Sequence, residues 1–174
     1  FTLWSEAERN AIDVYTIEMD ESKKKSEQWY TNTDVTYSFD GSKVTGSYGD
    51  ATAKEHADTK WTQSEIDACE APEGADTNTV KDEGLKTILI RQVKQQAEGQ
   101  LNKTDWYVIR KADTDEAVPS AIATHRAAVR SKQASMETAI TNASDTPALE
   151  TLYTYTRQED GTTTRPLGEI PTLD

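Results

Sequence analysis

The side chains that could do chemistry are few, and their spacing decides what they can do. The chain has two histidines, His56 and His125, and one cysteine, Cys69. His56 lies in Ala53-Lys54-Glu55-His56-Ala57-Asp58, where Glu55, His56 and Asp58 could touch a metal ion. A zinc site needs further ligands at fixed spacing. No second histidine follows, so the segment reads as a loop. Cys69 has no CxxC partner and no signature of a nucleophile around it; it reads as a small, semi-buried residue after the helix that Thr62 starts. Asp113, Asp115 and Glu116 form an acidic turn that lacks the glycine and closing glutamate of a calcium loop. Gly41, Gly46 and Gly49 belong to a hairpin, because no Lys-Ser or Lys-Thr pair follows at phosphate-loop spacing. No convergent catalytic set emerges, and the expectation is a protein that is not an enzyme and uses no cofactor or metal.

Composition narrows the class further. Of 174 residues, 34% are apolar and 29% charged, with mean hydropathy −0.79 and a net charge of −12. So little apolar material leaves a thin core for the length, although four tryptophans and seven tyrosines argue against wholesale disorder. The charge is uneven. Residues 1–80 hold 17 acidic and 7 basic side chains, whereas residues 86–132 hold 9 basic and 5 acidic. An acidic front joined to a mildly basic middle can associate head-to-tail, though an acidic surface also serves solubility. Binding of nucleic acid is not expected at this charge. A single cysteine excludes an intrachain disulfide framework. No apolar run is long enough to cross a bilayer, and no signal peptide is expected.

The elements that must position these residues fall into three parts. Residues 1–80 read as an acidic, β-rich module. Ser5 with Glu8 and Thr62 with Glu65 are capping boxes, each preceded by a tryptophan, Trp4 and Trp61. Between them Val14–Met19 is rich in β formers. Val35, Tyr37 and Phe39 alternate with polar residues, Asp40-Gly41 signals a hairpin, and Val44, Gly46 and Tyr48 return. This predicts a small antiparallel sheet whose buried face is lined by Trp29, Tyr30, Tyr37, Phe39 and Tyr48. The alternative use of those aromatics is an exposed sugar-binding platform. Residues 70–79 read as a linker.

Residues 81–145 read as a helical hairpin. Leu85, Leu89, Val93, Ala97 and Leu101 recur every four residues with Ile88 beside them, one apolar stripe. Ile90 lies off the stripe, facing a neighbour, and Asn102 is the expected C-cap. A second helix from Pro119 to about Ala143 carries Ile122, Val129, Met136 and Ile140, interrupted by Arg126 and Gln133. Pro119 suits a helix entry because its missing N–H has no partner there. Residues 146–174 read as a short helical turn carrying Leu149, Leu152 and Tyr153, then an extended C-terminal arm with Leu167, Ile170 and Leu173 spaced among prolines. The predicted class is therefore α+β.

The order Leu101, Thr104, Asp105, Trp106, Arg110, Pro119, Ile122, Arg126, Val129, Arg130 resembles the C-terminal segment of bacteriophage tail-fibre assembly and tail-associated proteins. His125 departs from it where an aromatic residue precedes the arginine. The resemblance implies a structural component of a phage tail, made in the host cytoplasm and present in the virion. Its partners would be other tail proteins, and it would act as a homo-oligomer or multi-copy assembly. A non-virion tail-fibre assembly chaperone and a carbohydrate-binding module of a receptor-binding apparatus are the alternatives. The candidate contact residues are Trp106, closing the bend of the hairpin, with Ile90, Arg126 and Arg130, and Leu167, Ile170 and Leu173 of the arm.

Overall fold

A computed structural model describes residues 3–173 and divides the chain into one unit ending at Lys54 and another beginning at Glu55. The α+β class is as the sequence predicts.

In the first unit, helix α1 (Glu6–Asn10) opens on its capping box: the Ser5 hydroxyl accepts from the Glu8 amide while the Glu8 carboxylate accepts from the Ser5 amide at 2.8 Å. Strands β3 (Thr36–Phe39) and β4 (Val44–Ser47) form the expected antiparallel hairpin, with Phe39 opposite Val44 and Tyr37 opposite Gly46. Its turn is tied by Asp40, whose Oδ1 accepts from the Ser42 and Lys43 amides, both at 2.9 Å, while Gly41 takes φ +96°. Strand β1 (Ile17–Asp20) departs from the expectation by pairing parallel with β4, giving the order β1-β4-β3. Parallel pairing needs a long crossover, and residues 21–43 supply it.

The aromatics also depart from expectation. Trp29 and Tyr30 are buried, but Tyr30 belongs to a separate pair, β2 (Tyr30–Thr31) against β5 (Thr52–Ala53). Tyr37 and Phe39 are 62% and 52% exposed on the three-stranded sheet. Period-2 alternation identified one apolar face correctly, yet alternation cannot say whether anything covers that face.

In the second unit, β6 (Thr59–Lys60) pairs antiparallel with β7 (Val80–Asp82) around helix α2 (Gln63–Asp67), which the Thr62–Glu65 capping box starts. The boundary expected near residue 80 thus falls inside this unit, because residues 55–58 hold the start of helix α3 (Leu85–Asn102). The amides of Leu85 and Lys86 donate to the carbonyls of Glu55 and His56, both at 3.0 Å, and the Gly84 amide donates to Asp58 Oδ1 at 2.8 Å. These are the N–H groups that a helix leaves without internal partners. Gly84 is required there, since a Cβ would stand 2.3 Å from the Ala57 carbonyl carbon.

Helix α3 buries Leu85, Leu89, Val93 and Ala97 against helix α5 (Ser120–Asn142), which contributes Ile122, Val129, Met136 and Ile140. Those are the two predicted stripes. The link between them is no simple elbow, because residues 105–114 form a helix of their own, α4 (Asp105–Thr114). The α3 cap is Lys103 rather than Asn102. Helix α6 (Thr146–Tyr153) starts at Asp145, whose carboxylate accepts from the Ala148 amide, and buries Leu149.

The C-terminal arm is not extended away from its unit. Strands β8 (Thr156–Arg157) and β9 (Thr163–Thr164) form a hairpin, and Leu167 beyond it is 2% exposed. Three contacts fold it back. The Leu167 amide donates to the Leu152 carbonyl at 3.0 Å. Arg165 lies over the rings of Tyr153 and Tyr155 and pairs with Glu169. Gly168, at φ +69°, leaves room for the Lys132 side chain, whose Nζ would stand 2.3 Å from a Cβ there. Of the apolar residues that suggested an external docking arm, Leu167 finds cover inside the chain, Ile170 is half-buried and Leu173 stays exposed.

Removing a buried leucine typically costs about 2–5 kcal/mol. Leu89→Ala should therefore lower the melting temperature sharply, and an unchanged calorimetric transition would show that the α3 stripe is not buried. A second expectation concerns acid. Hydrogen bonds from the Lys81 ammonium, then from the Thr62 amide and hydroxyl, lower the Glu65 carboxyl from its ordinary 4.5 to about 2. A depressed carboxyl stabilises the fold fully above its unfolded pKa and loses that contribution as pH falls through the folded value. The stability difference between the parent and Glu65→Gln should then be constant above pH 4.5 and shrink between pH 4.5 and about 2. Urea midpoints measured across that range would show it; a pH-independent difference would contradict it.

Candidate functional site

Four of the residues that carry the resemblance, Leu101, Thr104, Asp105 and Arg126, meet at one corner, where α3 ends, α4 begins and α5 crosses them. An α-helix ends with unpaired carbonyls and negative partial charge. Arg126 of α5 meets that end: its Nη1 donates to the Leu101 carbonyl at 2.8 Å and to Thr104 Oγ1 at 2.7 Å. The same nitrogen lies 2.8 Å from Asp105 Oδ1 at the first turn of α4. Thr104, buried with Arg126, passes its own hydroxyl hydrogen to the Leu101 carbonyl at 3.0 Å. A buried cation is tolerable only when charge and hydrogen bonds surround it, and this corner supplies both. Sequence reading treated Arg126 as a break in the α5 stripe and a candidate contact for partners. Its head is instead consumed within the chain.

On α4 the corner continues into a stack. The Trp106 and Tyr107 rings lie 4.0 Å apart between centroids, and Arg110 places its guanidinium 4.6 Å above Trp106 while pairing with Glu116 at 3.1 Å. Trp106 does not close a buried bend, as expected from its size; half its surface is exposed. Asp115 ends α4 in the left-handed region at φ +59°, so the acidic turn serves as a helix stop. On α5, His125 is buried, and its Nε2 has no hydrogen-bond partner among the described residues.

Part of what α4 leaves uncovered is apolar. Val108 is exposed, and Ile109 is 68% exposed. Between α4 and α5 lies a shallow groove of about 350 Å³ lined by Val108, Lys111, Val118, Ala123, Arg126 and Arg130. Arg130 and Lys111 are exposed and form no ion pair among the described residues. The arrangement is an apolar floor with a cationic rim, suited to a surface that is apolar and negatively charged.

The remaining predicted contact residues are scattered. Ile90 is half-buried on α3 beside Glu83, Thr87, Arg91 and Lys94. Leu167 is internal, Ile170 half-buried, and Leu173 41% exposed. Val108 and Ile109 were missed, although apolar residues at 106, 108 and 109 beside a helix-starting Thr104-Asp105 were a usable signal. The residues weighed for chemistry lie on separate elements. Asp58 holds the α3 N-terminus, with hydrogen bonds from Thr87 and the Gly84 amide keeping its carboxyl below the usual range. Cys69 is exposed just after α2, not semi-buried as expected from its place behind the helix, and His125 belongs to α5. Among the described residues no cluster of three or more His, Cys, Asp or Glu side chains could hold a metal ion, and no helix is long and apolar enough to cross a membrane.

No protein-family model, no curated protein and no solved structure matches the chain.

Arg126→Lys should show what the corner is worth. A lysine keeps the charge, but its stem is one bond shorter, so its ammonium stops short of the Nη1 position where the three acceptors meet. Loss of hydrogen bonds to a charged group costs roughly 1–3 kcal/mol, and the urea midpoint should fall accordingly. A variant as stable as the parent would mean that the corner does not depend on the guanidinium.

Proposed function

We propose that this chain is a structural component of a bacteriophage tail, where it joins other tail proteins in fibre or adaptor attachment. The observation that carries the reading is the pairing of a firmly built corner with an apolar surface that it leaves open. Arg126, Thr104 and Asp105 fix the geometry from inside, while Val108, Ile109 and half of Trp106 face outward. These are residues of, or next to, the segment that resembles tail-associated proteins. A sheet face in the first unit that exposes Tyr37 and Phe39 supports the same reading, because exposed apolar patches of this kind mark contact surfaces. Buried Trp29 and Tyr30 leave fewer aromatics for a sugar-binding platform.

Quantitative mass spectrometry of purified virions tests this directly. A structural part should be present at a fixed copy number per particle and lost from particles that lack tails. Absence from mature particles combined with defective fibres would favour an assembly chaperone. Absence from particles with tails and fibres unaffected by deletion would overturn both.

A further inference from the structure

The groove between α4 and α5 is walled by cations whose hydrogen-bonding capacity the chain does not use up. Val108 and Lys111 stand three residues apart on α4, and Ala123, Arg126 and Arg130 recur at helical spacing on α5, so each set shares a helix face. Together with Val118 they enclose about 350 Å³. Arg126 is the most buried of the three cations, its side chain only 9% exposed. The hydrogen bonds it donates within the chain leave from Nη1, toward the Leu101 carbonyl and Thr104 Oγ1. Its Nε and Nη2 have no hydrogen-bond partner among the described residues, and neither is shut off from solvent. They are donors without an acceptor, on a side chain that lines the groove.

Lys111 and Arg130 add two exposed cations, neither of which forms an ion pair among the described residues. The acidic side chains of the corner are already engaged: Asp105 pairs with Arg126, and Glu116 pairs with Arg110. Asp113 and Asp115 do not line the groove. Arg126 and Arg130 lie four residues apart on one helix, where like charges repel. An anion in the groove would relieve that repulsion and accept the idle donors.

Three features narrow the anion. A guanidinium edge binds a carboxylate through two parallel N–H···O bonds, and the Nε–Nη2 edge is the one left open. The apolar side chains of Val108, Val118 and Ala123 offer nothing to a hydrated inorganic ion, but they favour an apolar group beside the charge. The volume is at the small end of the roughly 300–1,000 Å³ of ligand pockets, enough for a short anchor. An extended polyanion would also meet the rest of a chain whose net charge is −12, which disfavours a nucleic-acid backbone or an anionic membrane.

We propose that the α4–α5 groove is the anchor site for an acidic peptide segment of a partner protein, one in which a glutamate or aspartate neighbours an aliphatic residue. The carboxylate takes the open edge of Arg126 between the charges of Lys111 and Arg130, and the aliphatic side chain lies on Val108 and Val118. The proposal rests on the tail reading above and names the chemistry of the partner at this surface. A single anchor of this size binds weakly, and because charge draws it in, the binding weakens with salt.

Short peptides with blocked termini, titrated into the full chain and followed by amide chemical shifts, decide the matter. A leucine flanked by glutamates should give saturable shifts at Val108, Lys111, Ala123 and Arg130. Glutamines in place of the glutamates should weaken binding more than about tenfold, and serine in place of the leucine should weaken it severalfold. Lys111→Glu and Arg130→Glu change exposed side chains and leave Arg126 in place; each should lose the glutamate peptide while keeping the parental melting curve. No saturable shift at the groove up to ~10 mM peptide at low salt, or equal binding of the glutamine peptide, would overturn the proposal. Equal binding of inorganic phosphate or of a short DNA strand would overturn it too, since the groove would then read charge alone. None of these outcomes touches the tail reading, which falls with absence from virions, and that absence would leave the peptide titration unchanged.

Discussion

The guanidinium of Arg126 is the constraint on which the helical unit depends. Helices α3 and α5 bury their stripes against each other, but stripe burial is non-directional and tolerates sliding. Arg126 removes that freedom at one end by engaging the last turn of α3, the buried Thr104 hydroxyl and the first turn of α4. At the other end Lys86 Nζ donates to the Thr141 carbonyl at 2.9 Å. The pair is thereby held antiparallel and in register from both ends. One cation serves two helix termini of opposite polarity, through a carbonyl of the first and a carboxylate at the start of the second, which is why α4 leaves the corner in a fixed direction.

That arrangement explains how a chain so poor in apolar residues still builds an ordered unit. The polar groups that would otherwise oppose burial are used as connectors. Residues 55–58 satisfy the α3 N-terminus with two carbonyls and a carboxylate. Arg165 does comparable work at the C-terminal end, where it lies between two tyrosine rings and reaches the Gly168 carbonyl and Glu169. The apolar side chains left over are then free to remain at the surface on α4 and on the sheet.

Local chemistry made much of this legible in the sequence. Both capping boxes, the Asp40-Gly41 turn and the stripes of α3 and α5 follow from spacing and residue type, and each appears where those rules put it. Long-range polar partners were not legible. Nothing local distinguishes Arg126 facing water from Arg126 buried against Leu101, because its acceptors are 21 to 25 residues away. The same blindness made Leu167 look like part of a free arm, since the hold on it and on Gly168 beside it comes from Leu152 and Lys132 on other helices. The parallel partner of β1 was hidden for a related reason: alternation specifies a face but neither the neighbour nor its direction.

The site shows the sharper form of that limit. Resemblance and residue type both pointed to the segment around Trp106, and both directed attention to its largest or most charged side chains. Packing reversed their roles. Arg126 went inside, and Trp106 became half-covered by the Arg110 stack. The plainest residues of the segment, Val108 and Ile109, were left facing outward. A cation with several acceptors in reach gains more by satisfying helix ends inside the chain than by waiting at the surface for a partner. An isoleucine on the outer side of a short helix has no such internal use. The surface available for recognition is therefore what remains after the polar side chains have fixed the corner, and its apolar character follows from that order of demands.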